Sequence, residues 1–192
     1  MNIFFVAGAS GSGKTAIIPN LKKKIGDSIV VYDFDDIGVP DDADKKWRQE
    51  ATEKWLQKLI SNGQDACLLG QVVLGEILAC PSAKKLNKVH FCLLDVNDFE
   101  RIQRLKTRHG KADGADQNML NWSSWLRMHH KDPQWVQHVL KENCWDKLNF
   151  GTWDQLLNWD SKAVVTVLDT TGWEIEQSAK SVADWINTKS DA

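Results

Sequence analysis

Residues 8–15 read GASGSGKT, and this stretch decides the fold class because it satisfies the pattern G-x-x-x-x-G-K-[ST]. Glycines allow the backbone N–H groups of such a loop to turn inward and form a concave site for phosphate oxygens. The stretch lies between an apolar segment and an amphipathic one, as expected where a buried strand turns into a helix. The nucleotide-binding residues predicted from it are Gly8, Ala9, Ser10, Gly11, Ser12, Gly13, Lys14 and Thr15.

Two side chains of this loop carry the predicted chemistry. Lys14 is expected to reach the β- and γ-phosphates of a nucleotide, and the Thr15 hydroxyl is expected to be a ligand of Mg²⁺. ATP and Mg²⁺ are therefore the predicted cofactors. Kinases, GTPases, motor ATPases and helicases all use this loop, so the loop alone does not define the reaction.

Outward from the loop, predicted strands and helices alternate along the chain. Strands are expected at 2–7, 28–32, 65–70, 88–94 and 163–168, and helices at 14–25, 43–61 and 173–186. The first strand is apolar after Asn2, as in a strand that is covered on both faces. This alternation predicts an α/β fold with a parallel sheet and helices on both of its faces.

The composition changes between about residues 109 and 160. A stretch of glycine and polar residues (HGKADGAD) is followed by a helical stretch that is rich in tryptophan. Six of the ten tryptophans lie there: Trp122, Trp125, Trp135, Trp145, Trp153 and Trp159. We predict a helical lid inserted before the last strand, within one domain that spans residues 1–192. Packing of the lid or core is the favoured role of the tryptophans, and a ligand site is the alternative.

Three carboxylates, Asp33, Asp35 and Asp36, follow the second predicted strand. The carboxyl ends of parallel strands border the ligand crevice of such a sheet, into which the glycine loop also opens. A carboxylate there can hold water on magnesium or accept the proton of an attacking hydroxyl. The alternative is capping of the next helix, which suits the aspartates within 41–44 well and Asp33 poorly.

Arginines recur on the predicted helix that follows the fourth strand. Arg101, Arg104 and Arg108 are spaced i, i+3 and i+7, so they share one helix face. This spacing favours a charge clamp over a transferring phosphate, which Arg127 of the next helix is able to join. A salt-bridged surface helix is the alternative. The catalytic candidates are Lys14, Asp33, Asp35, Arg104 and Arg108.

Together these motifs resemble the small P-loop kinases, namely gluconate kinase, shikimate kinase and the nucleoside monophosphate kinases. Gluconate kinase is the most similar in pattern: the DxDD after its second strand is similar to Asp33, Asp35 and Asp36, and its RLxxR is similar to the stretch from Arg104 to Arg108. The resemblance covers about residues 1–37 and 88–110, and the last strand and helix loosely.

The resemblance implies a sheet of five parallel strands in the order 2-3-1-4-5. It also implies that Asp33 joins Thr15 in the magnesium shell, that Asp35 meets the hydroxyl of the substrate, and that adenine lies near Thr171 in the loop after the last strand. Residues 70–76 (GQVVLGE) and the tryptophan-rich stretch depart from the pattern of these kinases. Gln71 and Glu76 are candidates for substrate contacts, with ordinary loop and helix roles as the alternative.

Composition narrows the class of protein further. The net charge of -2 gives no global attraction to nucleic acid or to an anionic membrane, and no apolar run is long enough to cross a bilayer. The four cysteines lack CxxC spacing, and the opening residues lack the basic region of a secretion signal, so a cytoplasmic protein with reduced cysteines is expected. The histidines show no metal-ligand spacing.

The leading hypothesis is an ATP-dependent phosphotransferase that moves the γ-phosphate to a hydroxyl or phosphate of a small molecule. The protein is expected to act as a monomer or homodimer. A regulatory ATPase or GTPase switch is one alternative, although the near match to a guanine-reading NKxD at residues 87–90 ends in histidine. A polynucleotide end kinase is another, which the net charge and the lack of a basic stripe disfavour.

Overall fold

The structure is a computed structural model that describes residues 1–109, 114–151 and 163–190. Five strands form one parallel sheet: β1 (Ile3–Ala7), β2 (Val30–Asp33), β3 (Ala66–Leu69), β4 (Val89–Asp95) and β5 (Ala163–Asp169). Their order is β2-β3-β1-β4-β5, which confirms the predicted fold class and strand order. The chain leaves β1 towards one side of the sheet and later continues on the other, so the loop after β1 lies at a topological switch point.

Seven α-helices occur in the described residues: α1 (Lys14–Ile25), α2 (Lys45–Asn62), α3 (Leu74–Ala79), α4 (Asp98–His109), α5 (Gln117–Lys131), α6 (His138–Lys141) and α7 (Ile175–Ser190). Short 3₁₀ turns lie at Gly26–Ser28, Phe34–Ile37 and Pro81–Lys85. The predicted helices and strands agree with these bounds to within a few residues.

Both faces of the sheet are covered by helices, which explains why β1 is apolar throughout. Phe4 and Val6 belong to a core formed with α1 and α7, whereas Phe5 and Ala7 belong to a core formed with α2, α3 and α5. Successive side chains of a strand point to opposite faces, so a strand buried on both faces must be apolar at every position. This packing holds the end of β1, and the loop after it, in a fixed place.

The described part of the predicted lid contacts α2. Lys45 donates hydrogen bonds to the backbone carbonyls of Val139 and Glu142, and the Gln49 amide donates to the Leu140 carbonyl at 3.2 Å. In return, the backbone N–H of Trp145 donates to the Gln49 side-chain oxygen at 2.7 Å. Gly110, Trp153 and Trp159 of the predicted lid lie outside the described residues, and the lid remains a prediction.

All four cysteines are free thiols, as the sequence predicts. Cys67 and Cys92 are buried in the core, and burial raises the pKa of the Cys92 thiol to about 12. None of the helices in the described ranges is long and apolar enough to cross a membrane.

Candidate functional site

The glycine loop between β1 and α1 is tightly folded. A Cβ atom at Gly8 would lie 2.3 Å from the Ser12 hydroxyl and 2.6 Å from the Leu94 carbonyl oxygen, so the backbone passes where no side chain fits. Gly13 caps α1 in the left-handed conformation, with φ at 94°, which other residues rarely adopt. These two positions give the loop its shape and leave the N-terminus of α1 facing open space, where anions are favoured.

Lys14 folds back over this loop. Its ammonium donates hydrogen bonds to the backbone carbonyls of Gly8, at 2.5 Å, and Ala9, at 3.1 Å. Burial lowers the pKa of Lys14 to about 8, while the nearby Asp35 and Asp33 carboxylates oppose that shift. Two oxygen acceptors therefore hold the cation inside the loop.

The carboxylates after β2 are arranged as a reciprocal cap on the 3₁₀ turn Phe34–Ile37. The Asp33 side chain accepts from the backbone N–H of Asp35 at 3.1 Å, and the Asp36 side chain accepts from the backbone N–H of Asp33 at 3.3 Å. The sequence did not predict this short turn, which Asp33 caps because the chain turns sharply as soon as β2 ends. The next helix, α2, is capped by Asp44, which accepts from the Trp47 N–H at 2.8 Å.

Asp35 has an environment that favours its neutral form. Partial burial raises the pKa of Asp35, and the adjacent Asp33 carboxylate raises it further. The cations Lys14 and Arg108 act in the opposite direction. Asp35 is therefore a stronger base than an ordinary aspartate, and it lies close to two cations.

A cavity of about 780 Å³ adjoins the glycine loop and has walls from α1, the end of β2, α4 and the start of α7. The structure brings the five sequence-predicted catalytic residues together along this cavity: Lys14, Asp33, Asp35, Arg104 and Arg108. Thr15, the predicted magnesium ligand, also lines it. These residues come from three separate segments of the chain, so the sheet and its helices, not sequence proximity, assemble them.

The predicted arginine cluster is smaller than the helical spacing suggests. Arg104 bonds to the Glu100 carboxylate and donates to the Thr170 carbonyl at 3.4 Å, which keeps its guanidinium beside the cavity. Arg101 is 1% exposed and instead donates to Asp98, at 3.0 Å, and to the Ser123 hydroxyl, at 2.8 Å. Helix α5 covers the first turn of α4, so Arg101 joins two helices and does not face the cavity.

Arg127 does not join the cluster at the cavity either. It donates to both carboxylate oxygens of Asp95, at 2.8 and 2.9 Å, and to the Val96 carbonyl at 2.9 Å. These bonds attach α5 to the end of β4.

The loop after β5 forms the far wall of the cavity, although Thr171 itself does not line it. The Thr171 hydroxyl accepts from the backbone N–H of Asn97 at 2.9 Å, and the Gly172 N–H donates to Glu100 at 2.7 Å. The lining residue from this loop is Trp173, followed by Glu174 and Ile175 at the start of α7. Trp173 was not predicted as a site residue, although it lies two residues after Thr171.

A second, smaller cavity of about 50 Å³ also adjoins the glycine loop. It shares Ser10, Lys14 and Gln71 with the larger cavity, and it is also lined by Arg48 and Trp122. Of the two substrate-contact candidates, Gln71 lines both cavities. Glu76 lines neither; it is fully buried and accepts hydrogen bonds from Arg48.

No protein-family model and no curated protein sequence matches the chain. Solved structures do. A gluconokinase from Sinorhizobium meliloti 1021 has a TM-score of 0.60 and 11% identity, covering 99% of this chain and 94% of its own. A sugar kinase from Janibacter sp. HTCC2649 has a TM-score of 0.56 and 15% identity, with coverages of 97% and 95%. A thymidylate kinase from Candida albicans has a TM-score of 0.56 and 12% identity, with coverages of 98% and 92%.

These identities are low, so the likeness describes the fold and leaves the substrate undefined. The strand order, the glycine loop after β1 and these neighbours confirm the resemblance expected from the sequence: the chain has the fold of the small P-loop kinases.

Proposed function

We propose that this protein is an ATP-dependent phosphotransferase that moves the γ-phosphate to a hydroxyl of a small molecule. The observation that carries the proposal is the cavity beside the glycine loop, where a lysine, two aspartates and two arginines from separate segments meet. This set combines cations for phosphate oxygens with a carboxylate able to accept a proton. Catalysis of phosphoryl transfer consists mainly of such positioning and charge stabilisation.

The residues present fit ATP. Gly8 lets the loop fold where a Cβ would clash with the Ser12 hydroxyl and the Leu94 carbonyl, and the Lys14 ammonium is bound by two carbonyl oxygens in the manner expected for phosphate oxygens. They also fit Mg²⁺: Thr15 and Asp33 each offer an oxygen in the cavity. No group of three or more His, Cys, Asp or Glu able to hold a metal occurs in the described ranges, and Mg²⁺ commonly takes one or two protein ligands and completes its shell with phosphates and water.

Each residue then has a definite task. ATP, when bound, supplies the transferable phosphoryl group. The Lys14 ammonium exchanges the carbonyls of Gly8 and Ala9 for phosphate oxygens, and the guanidiniums of Arg104 and Arg108 stabilise the charge that develops on those oxygens. Asp35 accepts the proton of the attacking hydroxyl, which its raised pKa favours.

The test is phosphate transfer from radiolabelled ATP in the presence of Mg²⁺ across a panel of sugars, nucleosides, nucleotides and aminoglycosides. We expect label to appear on at least one acceptor, and we expect the Lys14→Ala variant to lose that transfer while remaining folded by circular dichroism. Release of inorganic phosphate at the same rate with every acceptor would instead support a regulatory ATPase. Transfer at the normal rate by Lys14→Ala would contradict the assignment of the loop.

A further inference from the structure

The small cavity shared by Lys14 and Arg48, called here the acceptor chamber, adjoins the nucleotide site. Ser10, Lys14 and Gln71 line both cavities, so a molecule in the chamber can present one atom to the cation that would hold the transferring phosphate. The chamber measures about 50 Å³, room for one end of a small molecule. If the protein is a phosphotransferase, the chamber is where the acceptor is held.

The positive charge of Arg48 in the chamber wall is balanced by the carboxylate of Glu76. Arg48 donates from Nε to one oxygen of Glu76, at 3.0 Å, and from Nη2 to the other, at 2.6 Å. Gln49 donates to the same carboxylate at 2.9 Å, and the Glu76 side chain is fully buried. An entering anion would therefore meet a cation whose charge is neutralised and, behind it, a buried carboxylate.

The remaining lining offers little else to an anion. Apart from Lys14 and Arg48 it consists of uncharged residues, including Val72, Val73 and Leu126. Lys14 is the cation that the nucleotide phosphates would occupy. Polar contacts come from Ser10, from the Gln71 amide and from Arg48 Nη1, which has no hydrogen-bond partner among the described residues. These groups suit hydroxyl and carbonyl oxygens.

The position of Arg48 is fixed by aromatic side chains as well as by Glu76. Its guanidinium lies 5.0 Å from the ring centroid of Trp122, and Trp122 is stacked on Trp125 at 5.1 Å. Trp125 is stacked in turn on His129 at 4.5 Å, and His129 accepts from the backbone N–H of Gly75 at the start of α3. Because Glu76 and the Trp122 ring both hold the Arg48 guanidinium, it cannot easily turn towards an anionic ligand.

We infer that the acceptor is an uncharged hydroxylated molecule, such as a sugar or a nucleoside, and that the Arg48–Glu76 pair discriminates against carboxylated and phosphorylated acceptors. This inference rests on the proposed phosphotransferase function. It assigns Glu76 as a positioning residue that acts through Arg48, and Arg48 as the residue that contacts the acceptor.

The first test compares matched acceptors that differ in charge. Hexoses are paired with their hexonic acids, and nucleosides with their 5′-monophosphates. For each pair we measure kcat/KM for transfer from ATP and, without ATP, binding by saturation-transfer NMR. We expect the neutral member to be favoured by about tenfold or more, because like-charge juxtaposition is costly. Equal or better use of the anionic members would overturn the inference.

The second test changes the charge balance. Glu76→Gln leaves the Arg48 cation without its carboxylate, so the ratio of kcat/KM for neutral over anionic acceptors should fall by about tenfold. Asp95→Asn is the matched control, because it breaks another arginine–carboxylate pair, with Arg127, that lines neither cavity. We expect that control to keep the original ratio. A ratio that stays unchanged in a folded Glu76→Gln protein would show that the pair is only structural.

Because Glu76 is buried, the Glu76→Gln protein could fail to fold, and a second variant keeps the inference testable in that case. The double variant Arg48→Met, Glu76→Met removes both charges together, which is often tolerated where removal of one is not. The chamber of this variant again holds no unbalanced charge from residues 48 and 76, so the preference for neutral acceptors should be retained. A switch to anionic acceptors would show that this charge balance does not set the preference.

Failure of the inference is separable from failure of the proposed function. If no acceptor is phosphorylated, the proposed function fails. The NMR binding measurements still show whether the chamber prefers neutral or anionic molecules. Binding of the neutral probes over the anionic ones then supports the inference. Absence of neutral binding overturns it.

Discussion

Lys14 and Asp35 line one cavity from different segments, and each favours the charged form of the other. The Asp35 carboxylate raises the pKa of the Lys14 ammonium, and the Lys14 ammonium lowers the pKa of Asp35. Burial dominates for both groups, so the pKa of Lys14 still falls to about 8 and the pKa of Asp35 still rises. The cavity thus holds a cation that titrates near neutral pH beside a carboxylate of enhanced basicity.

The lowered pKa of Lys14 predicts a pH-dependent affinity for nucleotide. Below about pH 8 the ammonium is protonated in the free protein, so the dissociation constant for a non-hydrolysable ATP analogue should be nearly constant. Above pH 8 proton loss competes with phosphate binding, and affinity should fall by up to about tenfold per pH unit. Calorimetry between pH 7 and 9.5 measures this, with Lys14→Ala as the control that should show no such decline. A flat profile for the unmodified protein would rule out the mechanism.

The aspartates after β2 should separate into different roles. Asp35→Asn removes the proposed base, so kcat should fall by roughly 10²–10⁴ with little change in ATP affinity. Asp33→Asn should raise the Mg²⁺ concentration needed for half-maximal rate. Asp33 also caps the following turn, but the amide oxygen of Asn accepts the same N–H, so the free energy of unfolding should change little.

Asp36→Asn provides the control for this series. Asp36 belongs to the same cap but does not line the cavity. The Asn amide oxygen at position 36 accepts the same N–H, so Asp36→Asn should leave both the stability and the magnesium requirement nearly unchanged. Mild and equal effects of all three substitutions would indicate that the cluster only caps the turn.

Two arginines of one helix should give opposite phenotypes. Arg108 is exposed and lines the cavity, so Arg108→Ala should lower the transfer rate by about 10²-fold or more with little effect on the melting temperature. Arg101→Ala should instead lower the free energy of unfolding by about 1–3 kcal/mol, because it leaves Ser123 and Asp98 without their buried donor. Rate measurements and urea unfolding distinguish the two. A marked loss of stability in Arg108→Ala would place that side chain in the packing of the helix.

The contrast between Arg101 and Arg108 shows which features of the site can be predicted from the sequence. Spacing places both residues on one face of α4, and that much is local geometry. Which turn of the face α5 covers depends on contacts such as Arg101 to Ser123, 22 residues apart. The positions of the strands follow from apolar runs, and their order was implied by the resemblance to the small P-loop kinases. The Arg48–Glu76 pair joins helices α2 and α3, and no local sequence pattern predicts it, because its two residues are 28 positions apart.

Acid should destabilise the fold through a buried histidine. His90 is 1% exposed, its ring nitrogens have no hydrogen-bond partner among the described residues, and it stacks on Phe4 at 4.9 Å. Burial lowers the pKa of His90 to about 4, below the value near 6.5 of an unfolded chain. The unfolded state therefore takes up the proton first, so stability is fully present above pH 6.5 and is lost as the pH falls towards 4.

Urea unfolding between pH 7 and pH 4.5 measures this loss, which should approach about 1.4 kcal/mol per pH unit for such a group. The aromatic but non-titrating substitution His90→Phe should reduce the slope. His129, whose pKa burial lowers to about 3, contributes in the same direction and should keep part of the slope in that variant. A slope identical in both proteins would show that His90 does not titrate on unfolding.

The last prediction concerns residues 109–160, which we propose act as a lid over the bound nucleotide. Residues beside and within this segment line the cavities. Arg108, which directly precedes it at the end of α4, lines the larger cavity, and Trp122 of α5 lines the acceptor chamber. Closure would exclude water from a reaction that otherwise hydrolyses ATP, and such motions occur on microsecond-to-millisecond timescales. Amide hydrogen exchange should therefore show added protection in α5 when an ATP analogue with Mg²⁺ is bound, and more when an acceptor is also present.

The segment that packs on α2 serves as the internal reference in that experiment. The backbone N–H of Trp145 is already bonded to Gln49 without ligand, so its exchange should change less than that of the α5 amides. Indole fluorescence offers a second signal, because Trp122 borders the acceptor chamber and should respond to an acceptor, whereas the exposed Trp135 lines neither cavity. Trp135→Phe should preserve the ligand-induced change and Trp122→Phe should reduce it. If protection in α5 is the same with and without ligands, the segment is a fixed part of the domain, and the arginines act from static positions.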